Sequence, residues 1–278
     1  MSPENVPVIA STKNPRIVEA RKLDQRKHRE RQGRFLVEGL QLIHMAEQAG
    51  WRALEVFYCE ELLRTPAAAD LLGRLRADGA EVLPVSARVL ESLAERDLSQ
   101  GMVATFPLFS SDLTALQPGD RRLLLVLDRL QDPGNLGTLV RTADAVGASA
   151  VVLIEPTVDP FHPKAVRATM GSIFHVPLIR TSEVPALFAL LEELGLRAVA
   201  ADPYRGIPWG EGVLDGGVAL VLGNEGRGLS DDVRDGARAW AHLPMVGRAE
   251  SLNVAEAGSV LMYLWLRENL GKEGSPRR

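Results

Sequence analysis

The hydrophobic pattern of residues 35–105 alternates between short apolar runs and segments of helical periodicity. The runs RFLVEG, LEVFYC and EVLPVS predict strands, whereas LQLIHMAEQAG, AAADLLGRLRADGA and RVLESLAE predict helices. Gly50 and Gly79 end the first two of these helices. This alternation predicts a compact α/β/α unit of roughly 100 residues.

A second pattern begins with RRLLLVLD, a continuous apolar run typical of a strand that is buried on both faces. SAVVLI, RAVAA, GVALVLG and AWAHLPM predict further strands. LGTLVRTADAVGA, VPALFALLEELG and a long segment beginning near Leu252 predict helices. The pattern therefore predicts an α/β domain with a mostly parallel sheet, whose ligands bind at loops beyond the carboxyl ends of the strands.

The domain limits follow from the same pattern. We predict an N-terminal domain at 1–106, a linker at 107–120, where turn formers replace periodicity, and a second domain at 121–270. The end of the chain, GKEGSPRR at 271–278, is predicted to be a disordered tail.

Composition narrows the class of protein. Of the 278 residues, 46% are hydrophobic and 24% are charged, which is typical of a globular protein. The single cysteine, Cys59, excludes an internal disulfide framework and favours a reducing compartment. No apolar run of 18 residues and no signal peptide are present, so a cytoplasmic protein without membrane association is expected. The five histidines are scattered without cysteines or carboxylates at ligand spacing, and no metal site is predicted.

The net charge of −4 conceals a basic N-terminal arm at residues 12–34. The arm has a local charge of +6, which leaves −10 for the rest of the chain. A protein that contacts phosphates needs such a local basic surface and not a basic total, although a solvated helix has the same composition. The candidate RNA-binding residues of the arm are Lys13, Arg16, Arg21, Lys22, Arg26, Lys27, Arg29, Arg31 and Arg34.

The first polar loop is the turn DPGN, followed by the helix LGTLVRTADAVG. Asn135 is well placed to cap this helix. Asn135, Thr138 and Arg141 lie at i, i+3 and i+6, so they can share one flank and hold a ribose and its phosphate. A cap and an ordinary surface arginine explain the same residues.

Two further polar loops follow strands. LVLGNEGRGLSDD is glycine-rich but lacks both the dinucleotide and the P-loop templates. It predicts either a turn before a helix capped by Ser230 or backbone that approaches a flat ligand closely. LPMVGRAESLNVAEAG enters a helix at Asn253, where a capping box with Glu256 explains Asn253 but not Ser251.

Taken in order, the three loops strongly resemble the three motifs of the SpoU (TrmH-like) RNA 2′-O-ribose methyltransferases of the SPOUT superfamily. The resemblance covers about residues 121–270. More loosely, residues 12–105 resemble the L30e-like substrate-binding domain of rRNA-modifying members. The resemblance implies a deep trefoil knot in the second domain, a homodimer with the active site near the subunit interface, and S-adenosylmethionine as methyl donor.

The resemblance also implies which residues form the site. The cofactor's adenosine is expected against Leu222, Gly223, Asn224, Glu225, Met245, Val246, Gly247 and Leu252. The matching catalytic positions are Asn135, Arg141, Glu225, Ser251 and Asn253. Ala255 stands where a serine is common in the family, which we interpret as a variant because Ser251 and Asn253 are kept.

The chemistry expected from this resemblance is transfer of a methyl group to a ribose 2′-hydroxyl. Because arginine stays protonated in proteins, Arg141 is expected to hold the substrate phosphate and to stabilise the developing alkoxide electrostatically. The N-terminal domain favours 23S rRNA over tRNA as the substrate. A tRNA methyltransferase and a non-catalytic RNA-binding or ribosome-assembly factor on the same fold are the alternatives.

Overall fold

The structure is a computed structural model that describes residues 7–63, 65–94, 101–109, 112–116 and 122–271. Residues 272–278 of the predicted tail, and residues 110–111 and 117–120 of the predicted linker, lie outside these ranges. The chain divides into two compact units, of which the first comprises Met1–Phe109 with Asp159–Phe174 and the second Ser110–Val158 with His175–Arg278. The sequence pattern assigns the segment Asp159–Phe174 to the second domain, but in space it groups with the first unit.

The described residues form the following elements. The strands are β1 (Arg34–Glu38), β2 (Glu55–Tyr58), β3 (Glu81–Pro84), β4 (Met102–Pro107), β5 (Leu123–Asp128), β6 (Ala150–Ile154), β7 (Leu178–Thr181), β8 (Arg197–Ala201), β9 (Ile207–Pro208), β10 (Val218–Leu222) and β11 (Ala239–His242). The helices are α1 (Pro15–Arg21), α2 (Arg26–Gln32), α3 (Leu40–Gln48), α4 (Pro66–Ala77), α5 (Ala87–Glu91), α6 (Pro133–Val146), α7 (Pro163–Ala168), α8 (Val184–Glu193), α9 (Asp231–Gly236) and α10 (Val254–Asn269).

The first unit is built on a four-stranded sheet with the order β1-β4-β2-β3. β4 pairs antiparallel with β1 and β2, while β2 and β3 are parallel. The sequence pattern does not identify β4. Ile17 and Leu23 of the basic arm lie in the same buried cluster as Phe57 and Val103. The arm is therefore a packed part of the unit with a buried side and not a fully solvated helix.

The second unit is built on a seven-stranded sheet with the order β7-β6-β5-β10-β8-β11-β9, and all its pairings are parallel. Every residue of β5, β6 and β10 is buried, as expected for parallel strands covered by helices on both faces. This confirms the predicted mostly parallel α/β domain. β6 and β7 lie on one side of β5 and the later strands on the other, so the strand order reverses between β5 and β10. In open α/β sheets such a reversal marks the ligand-binding crevice.

No helix among the described residues is long and apolar enough to cross a bilayer.

Candidate active site

The first loop of the site joins β5 to α6. Asp132 caps α6 by accepting a hydrogen bond from the backbone N–H of Asn135 at 2.8 Å, and Pro133 occupies the first turn. The prediction that Asn135 is the cap is therefore wrong. Because Asn135 lies one turn inside the helix, its side-chain amide remains available for contacts with other loops.

Arg129, directly after β5, adopts a left-handed backbone conformation with φ of 55°. Such a conformation is unfavourable for a long side chain and is found where surrounding contacts enforce it. Here the Arg129 carbonyl accepts hydrogen bonds from Asn224 Nδ2 at 2.8 Å and from Gln131 Nε2 at 3.0 Å. The turn at the end of β5 is thus tied to the loop that follows β10.

The second loop, 223–228, follows β10. Asn224 and Gly228 exchange two backbone hydrogen bonds of 2.9 Å, and Asn224 Oδ1 accepts from the N–H groups of Gly226 and Arg227 at 3.0 Å. A Cβ on Gly223 would lie 2.5 Å from the carbonyl carbon of Gly228. Only glycine therefore fits at Gly223, which supports the interpretation of a closely packed backbone. Ser230 stands at the cap position of α9 as predicted, but its hydroxyl makes no capping bond.

The third loop leads from β11 into α10. Asn253 caps α10 through a 2.8 Å bond from the backbone N–H of Ala255, so the predicted cap is confirmed. Glu256 is exposed in the first turn, and the reciprocal bond of a capping box is not found for it in the described part of the chain. Ser251 is exposed two residues before the cap.

A short hydrogen-bond network joins the three loops. Asn253 Nδ2 donates to Asn135 Oδ1 at 3.1 Å, and Asn135 Nδ2 donates to Glu225 Oε1 at 3.1 Å. Glu225 also accepts from the backbone N–H groups of Gln131 and Asp132, at 3.3 and 3.1 Å. Three of the five predicted catalytic residues are thus in direct contact, although they are far apart in sequence.

Beside this network lies a cavity of about 500 Å³ at the carboxyl ends of β8, β10 and β11. Its volume falls within the usual range for small-molecule sites. Eight residues predicted from the second and third loops line it, namely Leu222, Gly223, Asn224, Glu225, Met245, Ser251, Leu252 and Asn253.

Four predicted residues do not line the cavity. Val246 is fully exposed, and a Cβ added at Gly247 would meet no atom within 4 Å, so both residues face open space. Asn135 lies in the network beside the cavity. Arg141 is exposed on α6, and its side chain has no hydrogen bond or ion pair with other described residues.

The structure adds residues that sequence reasoning missed. Asp202 and His242 line the cavity at the ends of β8 and β11, and Arg234 lines it from α9. Asp128, at the end of β5, is buried and accepts the backbone N–H of Ser230 at 2.6 Å. Asp128, Asp202 and His242 could have been found by the rule that polar residues ending parallel strands gather at one edge of the sheet.

No cluster of three or more potential metal ligands occurs within the described ranges. The cavity does have features that suit an adenosine. Leu222, Leu252 and Val254 supply apolar surface, and Asp202, Asn224 and Ser251 are among the polar residues that can donate or accept hydrogen bonds. Leu252 is 40% exposed although it is apolar, so a ligand in the cavity has an apolar side chain to cover.

The basic arm is only partly available for phosphates. Arg29 is 2% exposed, and its guanidinium donates to Asp159 Oδ2 at 2.6 and 3.1 Å and to the carbonyls of Leu23 and Asp24. The prediction that Arg29 contacts RNA is therefore corrected, because this side chain holds the turn between α1 and α2 in place.

Five other cations of the arm form ion pairs, which in sequence order are Arg16–Glu81 at 2.5 Å, Lys22–Glu19 at 2.5 Å, Arg26–Glu30 at 2.8 Å, Arg31–Glu19 at 3.5 Å and Arg34–Glu55. The Lys22 ammonium lowers the pKa of the Glu19 carboxyl, and the hydrogen bond to Glu81 raises the pKa of Arg16. Lys13, Arg21 and Lys27 are exposed, and their charged groups have no partner in the described part of the chain.

The fold, the cavity at the carboxyl ends of β8, β10 and β11 and the polar loops define an α/β protein with a candidate ligand site at the carboxyl edge of a parallel sheet. Residues 122–263 match the family described as SpoU rRNA Methylase, and residues 14–104 match the family described as MRM3-like substrate binding domain. The chain belongs to the SpoU rRNA methylase family. The resemblance inferred from the three motifs is confirmed.

Individual relatives cover almost the whole chain. The 23S rRNA (guanosine(2553)-2′-O)-methyltransferase RlmP of Bacillus subtilis is 32% identical over 92% of this chain and 97% of its own length. The 23S rRNA (uridine(2479)-2′-O)-methyltransferase of Streptomyces viridochromogenes is 30% identical over 89% of this chain and 88% of its own. The AdoMet-bound rRNA methyltransferase from Sinorhizobium meliloti has a TM-score of 0.86 and 34% identity, covering 96% of this chain and all of that one.

Proposed function

We propose that this protein transfers a methyl group from S-adenosylmethionine to a ribose 2′-hydroxyl of 23S rRNA. The observation that carries the proposal is the contact of Asn253, Asn135 and Glu225 beside the cavity, in a chain that belongs to the SpoU rRNA methylase family. Two relatives that cover most of the chain are named as 23S rRNA 2′-O-methyltransferases, which favours this RNA.

The cofactor is proposed to bind in the 500 Å³ cavity. Leu222, Met245 and Leu252 offer apolar contacts, and the lack of a side chain at Gly223 lets its backbone pack closely against Gly228. S-adenosylmethionine supplies a methyl group on a sulfonium, which is already activated for transfer. The solved structure from Sinorhizobium meliloti contains AdoMet, which supports this choice of cofactor.

The catalytic residues are proposed to act by positioning and by charge. Arg141 is exposed and has no ion pair among the described residues, so its guanidinium can bind a substrate phosphate and stabilise charge on the attacking oxygen. Asn135 orients the ribose, while Glu225 holds the Asn135 amide in place. Ser251 and Asn253 line the cavity at the start of α10.

A homodimer is proposed because α10 presents an apolar surface next to α6. Val260 and Tyr263 are 39% and 53% exposed and lie on one exposed face of α10. The helix α10 itself packs against α6, the helix that carries Arg141. A second copy on this face would bring another chain close to Arg141. The resemblance also implies a trefoil knot in the second unit. With an rRNA substrate, the protein is expected to act in the cytoplasm.

The function is tested by incubating the purified protein with methyl-labelled S-adenosylmethionine and with unmodified 23S rRNA, 16S rRNA or tRNA, alongside Arg141→Ala. Label in 23S rRNA that resists alkali, and that Arg141→Ala loses, is the expected result. Label only in tRNA would overturn the proposed substrate. Cofactor binding without transfer to any RNA, including an assembling ribosomal particle, would support the assembly-factor alternative.

A further inference from the structure

We propose that Arg129 and Arg227 form a site for the backbone phosphates of RNA beside the target ribose. Arg129 directly follows β5 in the first loop, and Arg227 lies in the second loop between the bonded residues Asn224 and Gly228. Sequence reasoning assigned neither arginine to the site. The inference rests on the proposed function in one respect, namely that the substrate is RNA.

A single amide group joins the backbones of the two arginines. Asn224 Nδ2 donates to the Arg129 carbonyl at 2.8 Å, and Asn224 Oδ1 accepts from the backbone N–H of Arg227 at 3.0 Å. The two backbone segments therefore lie on either side of one side chain. They cannot separate without breaking these bonds, so the two arginines are presented together.

The arginine pair adjoins the residue that is proposed to orient the ribose. Gln131 and Glu225 each lie two residues along the chain from one of the arginines, and the Gln131 N–H donates to the Glu225 carboxylate at 3.3 Å. The same carboxylate accepts from Asn135 Nδ2 at 3.1 Å. A ribose held by Asn135 therefore has its flanking phosphates near the loops that carry the arginines.

Both guanidinium groups are available to a ligand. Arg129 is 44% exposed, and its Nε lies 3.7 Å from Asp128 Oδ1, which is beyond hydrogen-bond distance. The exposed Arg227 has no side-chain hydrogen bond or ion pair within the described ranges, and Asp231 and Asp232, at the start of α9, do not pair with it. A guanidinium offers paired donors that match phosphate oxygens.

The carboxylates of the same loops already bind backbone N–H groups. Asp128 Oδ2 accepts from Ser230 at 2.6 Å, and Asp132 Oδ1 accepts from Asn135 at 2.8 Å. Glu225 accepts through both of its oxygens. Their negative charge is thus partly compensated within the loops. Because the chain outside the basic arm has a charge of −10, unpaired cations at this place matter for a polyanionic substrate.

The backbone of Arg129 distinguishes it from an ordinary surface arginine. Its φ of 55° is a left-handed conformation that glycine or asparagine adopts at lower cost. The Arg129 side chain gains no hydrogen bond from the described residues in return. Local strain of this kind is typical of positions that contact a ligand. Neither Arg129 nor Arg227 lines the cofactor cavity, so the ligand they suit is the RNA.

The test uses the full-length protein and a fragment of unmodified 23S rRNA, with affinity measured by fluorescence anisotropy at several salt concentrations. Arg129→Gln and Arg227→Gln should each reduce the slope of log affinity against log salt by about 0.7–0.9, the contribution of one phosphate. Affinity at 0.1 M salt should fall by about 5- to 8-fold. Affinity for S-adenosylmethionine, measured by calorimetry, should stay unchanged.

Arg238→Gln is the matched control. Arg238 is 62% exposed and directly precedes β11, so it lies at the amino edge of the same parallel sheet, opposite the loops of the site. The substitution removes the same charge and should leave the slope unchanged.

Two further variants separate phosphate binding from a structural role. Arg129→Gly should keep or raise the temperature of thermal unfolding, because glycine adopts this φ without strain, while it reduces the slope as Arg129→Gln does. Arg227→Lys keeps the charge and should keep the slope. An Arg129→Gly protein that unfolds at a lower temperature and binds RNA normally would assign Arg129 a structural role and overturn the proposal.

Methyl transfer to 23S rRNA, measured in the same preparations, distinguishes this site from the proposed function. Unchanged slopes in a protein that methylates the RNA would overturn the arginine pair and leave the function intact. Slopes that fall in both glutamine variants but not in Arg238→Gln would support the pair even if no methyl transfer were found. Equal losses in all three variants, or a loss of cofactor affinity, would overturn it.

Discussion

Asn135 Nδ2 donates a 3.1 Å hydrogen bond to Glu225 Oε1, across a separation of 90 residues in sequence. The same carboxylate accepts hydrogen bonds from the backbone N–H groups of Gln131 and Asp132, so it holds both the first turn of α6 and the loop that leads into it. Glu225 therefore acts mainly as a clamp between two loops. Because Asn135 also accepts from Asn253, a change at Glu225 should be felt at all three loops.

Glu225→Gln should lower single-turnover methyl transfer by about 100-fold, the scale expected when a reacting group is displaced by about 1 Å. Asn135 and Asp132 donate to one carboxylate oxygen and Gln131 to the other, so in either orientation the new side-chain NH₂ would face at least one donor that now meets an acceptor, and the loops would move apart. Methylation of 23S rRNA with excess enzyme measures the effect. Glu193→Gln, an exposed carboxylate on α8, is the control and should keep full activity. Equal activity of the two variants would disprove the clamp.

Arg141→Ala should lower the rate of transfer by about 100- to 1,000-fold, the usual loss when one group that stabilises transition-state charge is removed. Arg141→Lys should restore only part of the lost transfer rate, since a lysine keeps the charge but lacks the planar guanidinium with its paired donors. Single-turnover rates at saturating RNA provide the comparison. Arg76→Ala, an exposed arginine on α4, should leave the rate unchanged. A normal rate for Arg141→Ala would remove this residue from the mechanism.

Gly223→Ala should impair cofactor binding and destabilise the second unit by about 1–3 kcal/mol, because the added Cβ meets backbone atoms that cannot rotate away. The nearest are the Gly228 carbonyl carbon at 2.5 Å and the Leu229 nitrogen at 2.7 Å. Gly73→Ala is the matched control. Gly73 lies inside α4 with no atom within 4 Å of the added Cβ, so alanine there should stabilise by about 0.5–1 kcal/mol. Thermal unfolding and titration with S-adenosylmethionine measure the two effects, and similar behaviour of both variants would contradict the steric argument.

The parts of the fold that were predictable are those specified by local pattern. The continuous apolar run of β5 predicted a strand buried on both faces, and the runs of β6 and β10 predicted further strands; all three are fully buried. Even the misassigned cap of α6 had a local signal. Proline is favoured at the first helical position, so Pro133 places the cap at Asp132 and not at Asn135.

The parts that were not predictable depend on contacts between distant segments. Periodicity does not indicate that β10 pairs with β5, nor that Asn135 meets Glu225. The pattern of charges predicts RNA contact for Arg29 as much as for its neighbours in the basic arm. Its partner, Asp159, lies 130 residues away, and nothing in the local sequence indicates the pairing.

The stability of the first unit should depend strongly on the carboxylate of Asp159, which pairs with Arg29. Asp159→Asn should destabilise the protein by about 3–5 kcal/mol, because a buried guanidinium would lose the anion that compensates its charge. Urea unfolding followed by circular dichroism measures the loss. Glu30→Gln breaks an exposed pair in which both side chains are at least 40% exposed, and it should change stability by no more than about 0.5 kcal/mol. If the two variants lowered the free energy of unfolding equally, the burial of Arg29 would not determine the stability contributed by its ion pair.

The basic arm should contribute to RNA affinity mainly through its three cations without partners among the described residues. Each phosphate that a cation neutralises adds roughly 0.7–0.9 to the slope of log affinity against log salt. The triple variant Lys13→Ala, Arg21→Ala and Lys27→Ala should therefore reduce this slope by about 2, measured for a fragment of 23S rRNA between low and physiological salt. Arg16, Arg26 and Arg31 already form ion pairs, so the corresponding alanine triple should reduce the slope less. If the Arg16, Arg26 and Arg31 triple variant reduced the salt slope more than the first triple variant, RNA would have to break these ion pairs and rearrange the arm on binding.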